Sequence, residues 1–255
     1  CSAFRAKGRA AQAESLVLLK NNGNILPLTK GMKIWCPERQ IGERMGFMRL
    51  MSPEKKFMPL QPSDMPEGIA LTDDPEEADC AIVFMESPLS DNGYSSTDLQ
   101  NGGNGYIPIP LQYRPYTAVS ARKVSIAGGD FRENFTNRSY YGKTVHIANE
   151  QDLDNVILAR TKMKDKPVIV IISMHNPCVP AEFEPYCDAV FAEFGTEKEV
   201  MFDILMGRMQ AGGVLPYNLP KDMDTIERHA EDTPDDYEPY TDSKGNIYKR
   251  GYAKK

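Results

Sequence analysis

The residues best suited to chemistry are carboxylates gathered behind one apolar run. Residues 80–85 read CAIVFM; Glu86 closes that run, and Asp91 and Asp98 follow in a stretch rich in Gly, Asn, Ser, Pro and Tyr. A carboxyl group can shuttle a proton once burial near apolar or aromatic groups raises its pKa. A continuous apolar run indicates a strand buried on both faces, as in a parallel sheet. Open α/β sheets bind ligands beyond the carboxyl ends of such strands. Glu86 stands at one of these ends and is a candidate proton donor. The competing reading is structural, with Glu86 bonding loop N–H groups and holding the loop.

Other side chains near this stretch carry two readings each. Tyr94 and Tyr106 offer aromatic faces for a ligand ring, or they pack the loop. Gly102, Gly103, Asn104, Gly105 and Tyr106 resemble a phosphate loop superficially. They lack the Lys-Ser/Thr pair and a direct strand-to-helix setting, so a turn cluster is the better reading and no nucleotide cofactor is expected. His175 follows the run PVIVIISM and is placed to reach the same edge as Glu86, although no partner is evident and a structural role competes. No GxSxG elbow or reactive-cysteine signature is present. Cys1, Cys36, Cys80, Cys178 and Cys187 are scattered without a CxxC pair, which argues against a metal site and a disulfide framework. Asn134-Phe-Thr136 and Asn137-Arg-Ser139 match glycosylation acceptors that matter only in a secretory host.

The elements that must position these residues follow from periodicity. Residues 4–20 place Ala6, Ala10, Ala13, Leu16, Val17 and Leu19 at helical spacing, so one amphipathic helix is expected, ended by Asn21, Asn22 and Gly23. Short strands are expected at 33–36 and 69–72, and stronger ones at 80–85, 167–173 and 189–194. Residues 144–148 alternate as a strand. Helices are expected over 150–163 and 198–206, the latter capped by Gly207, and 212–216 form a turn into an edge segment. Residues 38–65 show no clean period. Residues 86–116 read as a long, packed, functional loop without regular structure, and 222–255 as a polar tail lying over the surface. Strands alternating with helices give an α/β fold, a mostly parallel sheet sandwiched between helices. The 255 residues suit a single domain of this kind, 1–255, with the 222–255 tail.

Composition excludes some partners. The net charge of −6 argues against nucleic acid, whose phosphates need a basic surface. The longest apolar run, 167–174, falls well short of the roughly 20 residues that span a bilayer. The first residues of the sequence do not read as a charged-then-apolar signal peptide. A lipidated start is disfavoured because a helical pattern begins almost at once, and a cut through a longer chain is the expected explanation.

Four segments in order resemble the second domain of glycoside hydrolase family 3. AAQAESLVLLKNNGNILPL (10–28) is similar to the family's A-x-x-S-x-V-L-L-K-N … L-P-L signature. ADCAIVFMESPLSDNG (78–93) resembles a strand ending in Glu and opening into a long loop, and KPVIVIISMHNP (166–177) a K-P-V-V-V-V strand. The 194–220 segment ends in GGVLPYNLP where the family has G-x-L-P-x-x-x-P, and NIYKRGY (246–252) is similar to its terminal Y-x-F-G-Y-G.

The resemblance implies a retaining β-glycosidase of two domains. An N-terminal (β/α)8 barrel, absent here, would supply the nucleophilic Asp and most sugar contacts. This chain would close over the site, lack the nucleophile and be inactive alone. Retaining enzymes use two carboxyl groups roughly 5 Å apart, one attacking and one moving a proton. Glu86-x-Pro88-x-x-Asp91 looks like the family's G-E-x-P-Y-x-E, in which the later carboxylate is the acid/base. That places the role on Asp91, with Glu86 as the other candidate and Asp98 a third. Met85 replaces the family's Gly, and Asp91 is one methylene shorter than Glu. Tyr94 and Tyr106 become candidate sugar-stacking residues. The implied partners are an oligosaccharide or β-glucoside and the barrel, and the implied location is periplasmic or secreted. A non-catalytic carbohydrate-binding or scaffolding module on the same fold is the alternative.

Overall fold

The computed structural model describes residues 2–45, 51–90, 93–125, 137–229 and 236–254. Six strands form the central sheet: β1 (Leu16–Asn21), β2 (Lys33–Trp35), β3 (Ala70–Thr72), β4 (Cys80–Glu86), β5 (Val168–Ser173) and β6 (Ala189–Glu193). Their order is β1-β6-β5-β4-β2-β3, all parallel except β1, which runs antiparallel to β6. Ser173 pairs with Glu86 on one side and Glu193 on the other, so these three residues mark one carboxyl rim.

Alternation along each strand separates two cores, because successive side chains point to opposite faces. Ala81, Val83 and Met85 join Val168, Val170 and Ile172 on one face, against Leu153, Val156, Ala159 and Met163 of helix α3 (Glu150–Met163). Cys80, Ile82, Ile169, Ile171 and Phe191 occupy the other. They pack on Val200, Phe202, Ile204 and Leu205 of helix α4 (Lys198–Leu205) and Ala13 of helix α1 (Ser2–Glu14). Each fully buried Val or Ile in these layers contributes roughly 1.5–3 kcal/mol of apolar burial. The expected α/β sandwich is present. Its helix over 150–163 and its strongest strands lie at or within a residue of the periodicity-based bounds, and Gly207 ends α4 with φ +70°.

Several expectations need correction. The 4–20 helix stops at Glu14, and Leu16–Asn21 is the edge strand β1. Leu16 faces one core, while Val17 and Leu19 face the other, each at most 1% exposed. Pairing with β6 satisfies such a two-sided apolar run, which a helix would leave half exposed. The 86–116 loop contains a short helix, α2 (Ser96–Gln100), whose N-cap Ser95 accepts from the Asp98 N–H at 3.2 Å. The 144–148 strand shrinks to Thr144–Val145, paired with Tyr116–Thr117. The 212–216 segment, expected as a turn into an edge segment, runs beside the start of edge strand β1. Its Gly212 and Gly213 N–H groups bond Ala13 O and Leu16 O, so close that a Cβ on Gly213 would lie 2.7 Å from Glu14 O.

The 222–255 tail does more than lie over the surface. It carries helix α5 (Met223–Glu227), and it sends Tyr248, fully buried, into the core beside Tyr240 and Tyr252. Lys20 and Glu184, both buried, form an ion pair beneath it, and the Tyr240 hydroxyl donates to Glu184 at 2.7 Å. Its residues 230–235 lie outside the described set.

Candidate functional site at the carboxyl rim

Glu86 sits where strand geometry sends it, on the last residue of β4 opposite Ser173. Its backbone is held from two directions. The Glu86 N–H donates to Asp152 Oδ2 at 3.0 Å, and its carbonyl accepts from the Tyr113 hydroxyl at 2.8 Å and Asn149 Nδ2 at 2.9 Å. The Glu86 side chain, 29% exposed, meets the Arg39 guanidinium at 3.1 Å and lies 3.8 Å from His175 Nδ1. Of the two readings of Glu86, the loop-holding one expected bonds to loop N–H groups. The carboxylate goes to Arg39 instead, and the backbone of Glu86 is what anchors the loop.

Arg39 is the hub. Its Nε and Nη2 grip Asp152 at 2.7 and 2.8 Å, a bidentate arrangement suited to a planar guanidinium. Asp152 is fully buried in the first turn of α3, where a negative charge suits the helix dipole. Burial pushes the Asp152 carboxyl up, opposed by its bonds from Arg39 and Asn149. Burial also pushes the Tyr113 phenol well up, which keeps it a donor to the Glu86 carbonyl. Arg39 comes from the short strand Arg39–Ile41, fixed to α3 by the Asn155 side chain donating to Glu38 O at 2.8 Å.

The next strand end is tied to the same rim. Ser87 Oγ donates to Asn176 O at 2.6 Å and accepts from the His175 and Asn176 N–H groups at 3.3 Å. His175 therefore reaches the Glu86 edge and has Glu86 as a neighbour. Its side chain is 44% exposed.

The remaining expected site residues fall elsewhere. Asp91 lies outside the described residues. Tyr94 and Tyr106 meet edge to face, with centroids 6.0 Å apart, and form an antiparallel bridge. Asp98 is in that same loop, bonded to the Gly105 N–H at 2.7 Å and to Lys143 at 2.6 Å. Gly102 and Gly105, at φ +87° and +81°, fit the turn-cluster reading. Asn137 uses its side chain on Lys123 O, Ser125 N–H and Ser139 N–H, and Asn134 lies outside the described residues. Among the described residues no group of three or more His, Cys, Asp or Glu side chains could hold a metal, and no helix is long and apolar enough to cross a membrane. Cys36 and Cys80 are buried, and burial pushes both thiols up to about 12.

Chemically, the rim presents one accessible carboxylate flanked by a guanidinium and an imidazole. Such a set can accept hydrogen bonds from ligand hydroxyls. The carboxylate that shares Arg39 with Glu86 is Asp152, sealed from solvent, so the pair does not form the attacking and proton-moving couple of a retaining glycosidase. Sequence reasoning missed Arg39, Tyr113, Asn149 and Asp152. Arg39 falls in the stretch without a period, and 66 residues separate Asp152 from Glu86. The one legible signal was an Asn followed by acidic residues at the start of a helical pattern.

Comparison with known proteins bears on this geometry. The glycosyl hydrolase family 3 C-terminal domain model matches residues 16–254. Beta-glucosidase C of Emericella nidulans is 27% identical over 234 residues, covering 91% of this chain and 28% of that protein. A periplasmic beta-glucosidase/beta-xylosidase of Dickeya chrysanthemi is 23% identical over 225 residues, covering 88% of this chain and 25% of its own length. The chain thus spans little more than a quarter of the curated relatives it matches. The structure of beta-glucosidase from Listeria innocua in complex with isofagomine aligns over 100% of this chain and 34% of its own, with TM-score 0.50 and 15% identity, which speaks to the fold alone.

Proposed function

The chain belongs to the glycosyl hydrolase family 3 C-terminal domain family, and from that premise we propose that it is the part of a retaining β-glycosidase that closes over a terminal β-linked sugar. The nucleophilic Asp belongs to the N-terminal barrel of the complete enzyme. This domain supplies the loop behind Glu86, and with it the acid/base. The observation that carries the reading is the position of Glu86, on the last residue of a central parallel strand, in a rim organised by Arg39 and Asp152.

Within that loop the roles divide by environment. A proton donor must be free to face the leaving group, whereas Glu86 commits an oxygen to Arg39 at 3.1 Å. Glu86 and His175 suit binding of sugar hydroxyls, and Asp91, at the family's acid/base position, is the proton donor. Tyr94 and Tyr106, on the same loop, are the proposed stacking surfaces. The relative from Dickeya chrysanthemi is described as periplasmic, and a periplasmic or secreted setting is proposed for this protein. The engaged state of Glu86 also suits the second reading, a domain that binds carbohydrate without cleaving it.

One experiment separates the two. The chain alone is assayed on aryl β-glucosides, then with a family 3 barrel joined upstream, as wild type and as Asp91→Asn. The proposal expects no turnover by the chain alone and activity in the joined enzyme. In kcat/KM, which reports the first step, Asp91→Asn should lose about 100-fold or more on poor leaving groups and little on 2,4-dinitrophenyl β-glucoside, whose leaving group needs no proton. Its kcat on that substrate should fall, because the same carboxylate takes the proton of the water that hydrolyses the covalent intermediate. Turnover by the isolated chain, or a joined Asp91→Asn enzyme at full rate on poor leaving groups, would refute it.

A further inference from the structure

The long loop behind Glu86 is held at its far end as well as at its start. Tyr113, near that far end, is fully buried, and its hydroxyl donates back to the Glu86 carbonyl at 2.8 Å. One side chain thus closes the loop on itself. The Tyr113 ring packs edge to face on Phe183, with centroids 6.2 Å apart. Its backbone is gripped by the neighbouring Glu182. The Tyr113 N–H donates to Glu182 Oε2 at 2.5 Å, and the Arg114 N–H to Oε1 at 3.1 Å. The two oxygens of one carboxylate therefore take two consecutive backbone donors.

That arrangement needs a carboxylate. An ionised carboxyl group only accepts, whereas a glutamine in its place would turn an NH2 group towards one of the N–H groups. Bonds to a charged acceptor are also the stronger ones. Other ties to this segment are weaker or lie further off. The Val179 N–H donates to Leu111 O at 2.7 Å. Arg114 reaches Glu150 and Asp154 of α3 at 3.1 and 2.5 Å, but all three side chains are more than a third exposed and solvent screens them.

The surroundings of Glu182 make its charge responsive to pH. Burial pushes its carboxyl above the ordinary value of 4.5, opposed by the bonds from Tyr113 and Arg114 and by the Arg114 charge, while Glu150 adds to the rise. The other titratable groups facing it are the Cys178 thiol and the Tyr113 phenol. Burial pushes both of those upward, so neither changes charge while Glu182 titrates. Protonation of Glu182 would set an O–H against one of the two N–H groups it now accepts from.

We infer that Glu182 is a positioning residue for the rim: acting through Tyr113, its carboxylate sets where Glu86 and the start of the loop behind it stand. The purpose of that placement rests on the glycosidase reading above, but the coupling is read on this chain without turnover. The test is an NMR pH titration of the full chain, following the Glu182 carboxyl carbon and the backbone amides. The Ser87 amide shares its peptide unit with the Glu86 carbonyl and so reports the bond from Tyr113. In wild type it should move with Glu182, at a midpoint above 4.5. In Glu182→Gln that step should vanish, and the Tyr113 and Arg114 amides should exchange roughly tenfold or more faster, the loss of a bond to a charged acceptor. Tyr113→Phe removes only the hydroxyl: the amides at 113 and 114 should still follow Glu182, and Ser87 should not. A carboxylate that merely supports the fold would not uncouple Ser87 in this selective way. Any step from Asp152, which accepts from the Glu86 N–H, persists in both variants and drops out of the comparison. A Ser87 amide indifferent to Glu182 in wild type, or one that still follows it in Tyr113→Phe, would overturn the inference, and both readings stand even if Glu182→Gln does not fold. Neither touches the Asp91→Asn result, so the two proposals fail separately.

Discussion

Arg39 and Lys143 each sit at the centre of a polar cluster, and the two clusters differ in burial. Arg39 is 9% exposed and Asp152 not at all, whereas Lys143 and Asp98 are 22% and 23% exposed. Removing charges from water costs several kcal/mol per ion, so the rim cluster stands only while every partner is in place. The outer cluster is screened by solvent, and its ion pair is worth about 1 kcal/mol or less. A rim that must place a carboxylate to within a fraction of an ångström is built from buried, mutually dependent partners, whereas the outer cluster ties loop to strand through a solvent-screened pair.

The comparison can be broken most directly at Asp152. Asp152→Ala would leave the buried Arg39 with Glu86 alone and the Glu86 N–H without its acceptor, and should cost about 3–5 kcal/mol in urea unfolding. Replacing both partners, as in Arg39→Met with Asp152→Leu, should recover much of that stability, because an apolar pair avoids the desolvation cost. If Asp152→Ala alone proved mild, the rim would not be the rigid half. Lys143→Met supplies the other arm. It should cost only about 1 kcal/mol in the same assay while increasing proteolysis between residues 93 and 106. A loss equal to that of Asp152→Ala would erase the distinction.

The smallest effect is a pH control outside both regions. Asp242 is buried; burial works to raise its carboxyl, but hydrogen bonds from Asn246 and the Lys244 N–H, with Lys20 nearby, hold it below its ordinary value. A depressed carboxyl contributes stability that is present above its unfolded value near 3.8 and is lost as pH falls through its lower folded value. Wild type should therefore lose stability more steeply than Asp242→Asn below about pH 4, a difference readable in acid unfolding curves. Parallel curves would show that Asp242 gains nothing from its setting.

The legible parts of this protein are those where one segment carries its own signal. The CAIVFM and PVIVIIS runs announced strands β4 and β5, and Leu153, Val156 and Ala159 announced α3, because a two-sided apolar run or a 3.6-residue period needs no outside partner to be recognised. Leu16–Asn21 misled for the same reason: its apolar residues fit a helical stripe continued from α1, and only the presence of β6 made a strand the better solution. Tyr248 was placed on the surface because the polar residues around it hid an aromatic that the finished core accepts.

The site divides along the same line. Glu86 at a strand end, His175 at the next one, and a turn-rich loop holding Tyr94, Asp98 and Tyr106 were all readable from local pattern. Arg39, Asn149, Asp152, Tyr113 and Lys143 were not, since each acquires its role from a partner tens of residues distant. The amino-acid sequence alone determined the central strands β4 and β5, helix α3 and the carboxylate that stands at the end of β4. Tertiary structure alone decided which cation each carboxylate meets and how deeply the pair is buried. Hydrophobic periodicity is a property of neighbouring residues, whereas the strength of a charge pair depends on the dielectric that the whole fold builds around it.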